Sequence, residues 1–202
     1  MSEPIFKTII GDSWDDIPLI MKMHYANKAY SDDISVTKGI MTVEASLLWK
    51  LISPFSKMFG ILVPYTGEEI PVTVTFRSSP GNNHFVFDRV FNFPNKEPYQ
   101  FYSTLYPIEG REVIEVMKTG IGWRCEFKWT QGKVLLLHKG YVFKIFGRFI
   151  PLPISFLIGK GYAEEVPIDD NTFSMKMEIM HPWWGKILGY SGIFTMPCKG
   201  DE

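Results

Sequence analysis

The chain has 202 residues, of which 46% are hydrophobic and 15% are aromatic, and its formal net charge at pH 7 is −1. This composition excludes bulk disorder, because a chain of this size can bury a core without a metal ion or a disulfide framework. It also excludes a strongly basic face, since no run of Lys and Arg is longer than two residues, so we expect no nucleic-acid partner.

The N-terminus and the cysteines indicate a cytoplasmic protein. Residues 1–4 lack the basic and apolar regions of a signal peptide, and the longest apolar stretch, 149–159, is too short to span a bilayer. Cys125 and Cys198 form neither a disulfide framework nor a metal-binding motif. We therefore expect a soluble cytoplasmic protein with no cofactor.

The first third of the chain predicts two helices with a strand between them. In residues 12–27 the apolar side chains recur at helical spacing, which predicts an amphipathic helix. Residues 34–43 alternate in part and predict a strand. A broad apolar face over 45–59 predicts a second helix, which Pro54 would kink or split.

From Ile70 onward the apolar pattern changes to alternation, and turn sequences separate the alternating segments. The gaps are too short for parallel crossovers, so the pattern predicts an antiparallel meander. We expect one α+β domain, mostly antiparallel β: two helices within about 12–60, packed on a strongly curved sheet or lipocalin-like barrel of about 8–10 strands within about 70–196. The strands predicted in this part are 70–78, 83–93, 98–106, 111–118, 121–130, 133–146, 157–166, 172–180 and 187–196.

An arginine lies in the middle of the most aromatic strand. Alternation over 84–93 places Arg89 on one face with phenylalanines on both sides, among them Phe87 and Phe91. A buried guanidinium needs a carboxylate or a ligand oxyanion as its partner, and its planar fork suits a carboxylate or a phosphate. The pattern predicts an apolar pocket with Arg89 as the anchor of an anionic group and Trp123 as a further wall.

Three other strands offer polar partners for Arg89 inside the sheet. Glu115 alternates with apolar residues, Glu164 is in phase with its aromatic and aliphatic neighbours, and His138 is in phase with Val142. One interpretation is a polar cluster of these groups at the base of the pocket. The alternative is a structural ion pair inside the sheet, with the aromatic side chains as ordinary core.

Catalytic and metal-binding motifs are not found in the sequence. The four histidines are far apart without metal-ligand spacing, and no nucleophile elbow is present, so we expect no metal site. The sequence leans against an enzyme. An alternative remains in which Glu115 or Glu164 acts as a general acid or base with a pKa raised by burial.

Two further segments, 146–157 and 181–188, are too apolar for simple connections. Their prolines interrupt regular structure, so their aromatic side chains either close one end of the sheet as a core lid or form an exposed rim. An exposed rim would make the chain an accessory domain that contacts a protein or, peripherally, a membrane. The rim residues in that interpretation are Phe149, Phe156, Trp183 and Trp184.

The order and spacing of several short motifs resemble the bacterial domain-of-unknown-function family 4166. The resemblance covers almost the whole chain and rests on 6–18 (FKTIIGDSWDDIP), His24, Lys38-Gly39, 69–74 (EIPVTV), Arg89, Phe91, Glu115, 151–153 (PLP), 163–165 (AEE), His181-Pro182 and 189–192 (GYSG). Members often follow reductases similar to saccharopine dehydrogenase, which implies an accessory domain and a reductase partner. The resemblance implies no activity and no catalytic residues.

The sequence leaves three functions open. The first is binding of a hydrophobic or lipid-like small molecule in an apolar β pocket, and the second is contact with a protein or membrane through the rim. The third is catalysis by a buried carboxylate. These 202 residues contain no dinucleotide-binding segment, so hydride transfer is not expected of them alone.

Overall fold

The computed structural model describes residues 3–47, 49 and 62–196. Its N-terminal segment forms helix α1 (Ile5–Ile10), a 3-10 turn (Gly11–Trp14) and helix α2 (Leu19–His24). The single helix expected over 12–27 is therefore wrong in its bounds. Pro18 is the reason, because its ψ of 157° is extended and the residue precedes a new helix instead of continuing one.

The helix expected at 45–59 falls mostly outside the described residues, and its first residue, Ala45, ends strand β1 instead. A short helix α3 (Ser155–Ile158) follows later in the chain. The strands are β1 Ile34–Ala45, β2 Gly67–Arg77, β3 Phe85–Phe91, β4 Tyr99–Pro107, β5 Glu112–Met117, β6 Ile121–Thr130, β7 Lys133–Ile145, β8 Arg148–Leu152, β9 Lys160–Pro167, β10 Thr172–His181 and β11 Gly185–Thr195.

The strands form an antiparallel barrel, as the alternating pattern predicted. Among the described strands, ten close into a ring that runs through β1 to β7 and then β9 to β11, and β11 returns to pair with β1. Every neighbouring pair of strands in the ring is antiparallel. Antiparallel neighbours can be joined by short turns, although longer segments make some of the connections in this ring. Closure leaves the ring without exposed strand edges.

Strand β8 lies outside the ring and was not expected. The first half of β7 pairs with β9, whereas its second half, Tyr141 to Ile145, pairs with β8. Strand β8 contains Pro151, which suggested an irregular connection in the sequence. A proline is tolerated on an edge strand because no neighbour requires its missing N–H, and the described residues pair β8 with β7 alone.

The two ends of the barrel differ. The lower end is closed by α1 and α2, where the Phe6 ring lies 5.5 Å from the Phe85 ring and 5.1 Å from the Phe127 ring. The upper end carries α3 and the turns between β5 and β6, β7 and β8, and β10 and β11. Most buried side chains inside the ring belong to one hydrophobic core that continues into the N-terminal helices.

The seam between β1 and β11 depends on a glycine. Gly39 pairs with Phe194, and a Cβ atom at Gly39 would lie 2.5 Å from both the Ile193 carbonyl oxygen and the Phe194 ring. We expect Gly39→Ala to lower the free energy of unfolding by about 1–3 kcal/mol, measured by urea unfolding, because the buried ring has to shift. Gly81→Ala is the control, since nothing lies within 4 Å of its Cβ position. Equal stability of both variants would contradict this account.

Candidate ligand-binding site

Three adjacent strands bring a charged cluster into the barrel. Arg89 on β3 is 4% exposed, and its Nη2 atom lies 2.7 Å from Ser103 Oγ on β4 and 2.5 Å from Glu115 Oε1 on β5. Ser103 Oγ also donates a hydrogen bond of 2.7 Å to the same Glu115 oxygen. The cluster is thus a buried ion pair bridged by a hydroxyl. This arrangement satisfies the requirement that a buried charge be paired.

Two aromatic rings enclose the guanidinium. The Arg89 Cζ atom lies 3.9 Å from the centre of the Phe87 ring and 4.0 Å from that of the Phe101 ring, so both rings make cation–π contacts. The Nε–H group of Arg89 is buried and has no hydrogen-bond partner among the described residues. One donor of the guanidinium is therefore left unsatisfied, which costs free energy in an apolar interior.

The expected grouping of Glu164 with Arg89 is not found. Glu164 lies on the outer face of β9, where it pairs with Lys133 at 2.7 Å and accepts a hydrogen bond from Tyr162. The inward positions of this strand are occupied by small residues, Gly161 and Ala163. Alternation alone correctly placed Glu164 and Glu165 on opposite faces of the sheet. The assignment of inside and outside was wrong because the larger residues of β9 point outward.

Glu165 is the inward carboxylate of β9 and forms a second polar cluster at the lower end. Tyr25 donates a hydrogen bond to its Oε2 atom, and His24 Nε2 lies 3.6 Å from the same atom. Burial and the neighbouring Glu165 charge raise the pKa of the Tyr25 hydroxyl well above its ordinary value. Sequence reasoning missed this cluster, although the small residues before Glu165 were a signal of the inner face.

His138 lies in the upper half of the barrel and not in the Arg89 cluster. The Trp123 indole N–H donates to His138 Nδ1 at 2.9 Å, so Nδ1 is an acceptor and the ring proton sits on Nε2. The Nε2 atom lies 2.9 Å from Ser155 Oγ and therefore donates to it. A histidine in this tautomer cannot take the hydroxyl proton, so Ser155 is not activated as a nucleophile.

A β-bulge in β7 explains why His138 does not have the phase expected from the sequence. The pairing between β6 and β7 shifts so that Arg124 opposes Gly140 while Cys125 opposes His138, with an extra residue between the two on β7. Beyond this bulge the alternation is reset, and Val142 packs in a small outer cluster while Tyr141 is in the main core. His138 and Val142 therefore do not share a face.

The histidine makes stability depend on pH. Burial, together with the charge of Lys160, lowers the pKa of His138 below its ordinary value of 6.5. The unfolded chain therefore binds the proton first, and the stabilising contribution, complete above pH 6.5, is lost as pH falls toward the lower folded-state pKa. We expect His138→Gln to flatten this loss in urea unfolding between neutral and mildly acidic pH.

His84 gives a second, independent test, because burial lowers its pKa as well. The variant His84→Gln should flatten the same pH profile independently, so that the double variant shows the sum of the two effects. An unchanged profile in His138→Gln would contradict the assignment of the titration to this ring.

Among the described residues, two small cavities lie inside the barrel, one on each side of Glu115. Each has a volume of about 40 Å³. That space holds a few water molecules, whereas pockets for drug-sized ligands measure about 300–1,000 Å³. The upper cavity is almost entirely apolar and is lined by Leu62, Phe101, Glu115, Met117, Ile121, Trp123, Tyr141, Ile158, Gly161, Met177, Ile179 and Tyr190.

The other expected pocket residues lie around these cavities. Trp123 is buried in the wall of the upper cavity, and Phe91 is buried near it, with its ring 6.5 Å from the ring of Tyr190. Burial raises the pKa of Tyr190 to about 12, so its hydroxyl is protonated and can donate a hydrogen bond. Cys125 is a buried free thiol whose pKa is raised well above its ordinary value by burial.

The expected rim residues divide into two groups. Phe149 packs on the outside of the barrel, where its ring lies 5.4 Å from the Tyr106 ring. Phe156, Trp183 and Trp184 are exposed at the upper end. Phe149 therefore belongs to a small outer cluster and not to the rim.

In residues 3–47, 49 and 62–196, no group of three or more His, Cys, Asp or Glu side chains is arranged to hold a metal ion. Within the same part of the chain, no helix has the length and hydropathy required to traverse a membrane.

Comparison with known proteins identifies the family. The sequence model of the family described as "Domain of unknown function (DUF4166)" matches residues 17–194. The chain belongs to this family. The match confirms the family that the motifs suggested, and the DUF4166 description includes no activity, substrate or partner. A search of curated proteins found no significant match.

Two solved structures resemble this DUF4166 chain at low sequence identity. Rv2717c from M. tuberculosis is 10% identical, with a TM-score of 0.46 over 81% of this chain and 92% of that one. A point mutant of the fluorescent protein UnaG is 12% identical, with a TM-score of 0.33 over 80% of this chain and 94% of that one. Similarity at this level transfers no ligand or activity to the DUF4166 chain.

Proposed function

We propose that the barrel binds a small hydrophobic molecule in its upper half, with the polar end of the molecule directed toward Arg89. The observation that carries the proposal is a buried charged cluster beside an apolar cavity. Glu115 belongs to both the cluster and the cavity wall, and Arg89 retains an unsatisfied N–H donor. Apolar pockets with a few placed polar groups are the usual form of small-molecule sites.

The size of the cavity constrains the ligand. About 40 Å³ is too small for a lipid, so any larger molecule has to displace side chains. Met117 and Met177 line the cavity, and methionine adapts its shape more readily than other apolar residues. We therefore propose binding by rearrangement of these side chains, which favours slender aliphatic molecules over rigid ring systems.

The head group has to share Arg89 with Glu115. An anionic head group would compete with the Glu115 carboxylate for the guanidinium, whereas a hydroxyl or carbonyl group would only need the free donor. Decanoate and decanol are probes that separate these two cases. Glu115→Gln removes the competing charge, so decanoate should raise the melting temperature of this variant more than that of the wild type.

The first experiment is native mass spectrometry of the purified protein, followed by extraction and identification of any hydrophobic molecule bound to it. Binding of decanoate and decanol is then measured by displacement of anilinonaphthalene sulfonate fluorescence. Ile121→Trp fills the upper cavity and should abolish displacement, whereas Ile193→Trp, at an exposed position on the outer face of β11, should not. Equal binding by both variants would reject the upper cavity as the site.

No catalytic role accompanies this proposal. Glu115 Oε1 is engaged by Arg89 and Ser103, and Glu164 is paired with Lys133 on the outside of the barrel. The one Ser–His contact in the upper half, among the described residues, has the wrong tautomer for nucleophile activation. The arrangement therefore supports binding better than chemistry.

A further inference from the structure

Large apolar side chains are exposed together at the upper end of the barrel. Four of them form a surface that we name the apolar rim, and each has more than half of its area in contact with solvent. They are Phe156 (62% exposed), Leu157 (60%), Trp183 (74%) and Trp184 (56%). Exposure of several such residues in one place costs solubility and usually marks a contact surface.

His181 joins the two segments that make up the apolar rim. Its Nε2 atom lies 2.9 Å from the carbonyl oxygen of Phe156, so the tip of β10 is tied to α3. Its Nδ1 atom accepts a hydrogen bond of 3.1 Å from the backbone N–H of Trp183, and its ring stacks on Trp184 at 4.2 Å. His181 itself is 3% exposed. The rim is thus a structured surface supported by a buried histidine.

Exposed basic side chains lie near the apolar rim, and Lys186 beside it is paired with Glu44 and Glu178. Residues 127–163, which run from β6 to β9 and include α3, contain six Lys and Arg and no Asp or Glu, and two of the six, Lys133 and Lys139, pair with Glu164 and Glu126 just outside this range. Arg148 and Lys160 from this stretch are exposed near the upper end, and the β5–β6 turn adds Lys118. The chain as a whole has a net charge of −1, so this stretch is more basic than the rest of the chain.

We propose that the apolar rim docks on the surface of an anionic lipid bilayer. Exposed Trp and Phe side chains suit the boundary between lipid head groups and acyl chains, and nearby Lys and Arg are attracted to negatively charged lipids. A protein partner would be expected to match specific hydrogen-bonding groups, whereas this surface offers apolar rings with the exposed Lys118, Arg148 and Lys160 nearby. Its composition therefore favours a bilayer over a protein.

Docking would place the candidate binding site next to the lipid. In α3, Leu157 is exposed in the apolar rim, and the next residue, Ile158, lines the upper cavity. A hydrophobic molecule could then pass between bilayer and barrel without crossing water. The docking inference does not require the proposed ligand site, because it rests on the exposed side chains and charges alone.

Vesicle flotation tests the inference with the full chain. Vesicles of phosphatidylcholine alone are compared with vesicles of phosphatidylcholine mixed with phosphatidylglycerol. The double variant Phe156→Ser/Trp183→Ser should bind the mixed vesicles about tenfold or more weakly than the wild type, because two large apolar groups no longer enter the interface. Ile34→Ser/Ile168→Ser is the matched control at the lower end, where these residues are 61% and 54% exposed.

A second variant tests the contribution of the basic residues. Arg148→Glu/Lys160→Glu should weaken binding to the mixed vesicles and should leave any binding to phosphatidylcholine unchanged. The inference would be overturned if the wild-type protein bound neither type of vesicle, or if the rim variant and the control variant bound equally well. A dimer seen by sedimentation velocity, lost in the rim variant and without vesicle binding, would assign the rim to self-association and also overturn it.

The two proposals can fail separately. The fluorescence displacement assay with decanoate and decanol reports on the barrel interior, and the rim variant should retain wild-type displacement in solution. Loss of vesicle binding with intact displacement is therefore the expected result for this variant. Loss of both activities with an intact fold would show that the rim acts through the cavity and would contradict independent docking.

Discussion

Glu115→Leu is expected to lower the free energy of unfolding by about 3–5 kcal/mol. The substitution leaves the Arg89 guanidinium, which is 4% exposed, without its carboxylate partner in an interior of aromatic side chains. It also removes the closer of the two acceptors of the Ser103 hydroxyl, which is left with the Phe87 carbonyl oxygen at 3.4 Å. Urea unfolding at neutral pH measures the effect, provided that the slope of the transition stays the same as in the wild type.

The double variant Arg89→Met/Glu115→Leu is the decisive control. Replacing both members of a buried ion pair by apolar groups is often neutral or stabilising, so the double variant should recover most of the loss. If the loss of unfolding free energy in the double variant equals the sum of the losses in the two single variants, the side chains contribute separately. The ion pair would then not explain their position in the core.

This pair also separates structure from binding. One outcome is a double variant that regains stability while decanoate and decanol no longer displace anilinonaphthalene sulfonate from it. This result would assign the polar end of the ligand to Arg89. A double variant that regains stability and still binds assigns the pair to the core alone. The two meanings that the sequence left open for Arg89 therefore have different experimental outcomes.

Phe6→Ala should cost about 3–5 kcal/mol of unfolding free energy. The side chain of Phe6 is 2% exposed and contacts the rings of Tyr25, Phe85 and Phe127, so its removal leaves a cavity between α1 and the lower end of the barrel. The rigid strands around it limit how far the gap can collapse. Thermal and urea unfolding followed by near-ultraviolet circular dichroism would report this loss.

Leu19→Ala is the matched control, because Leu19 belongs to α2 but is 63% exposed. Its effect should stay within about 0.5 kcal/mol of the wild type. A mild effect of Phe6→Ala, similar to that of Leu19→Ala, would mean that α1 does not close the barrel and that the N-terminal segment contributes little to the core.

Alternation carried most of the fold prediction. Ten strands expected from the sequence are found within three residues of their predicted bounds, because turn sequences mark the ends of strands in a meander. The same alternation correctly placed Arg89 and Glu115 on the inner face, since β3 and β5 have no bulge to change the phase. Local pattern was sufficient where the strands were regular.

Three features of the site could not be obtained from the pattern. The bulge at Gly140, with its φ of 138°, reset the phase of β7 beyond His138. The small residues of β9 point inward, so Glu165 and not Glu164 enters the barrel. Phe149 was taken as a rim residue, but β8 folds back on β7 and packs it against the outer face.

The sequence by itself determined the β meander, the apolar interior and the burial of Arg89, because period, turns and composition act locally along the chain. Only the tertiary structure decided which charged residues meet, how much space remains inside and which aromatic side chains stay in water. These depend on closure between β1 and β11 and on the packing of α1 into the lower end. Contacts between residues distant in sequence set them, and no local pattern records such contacts.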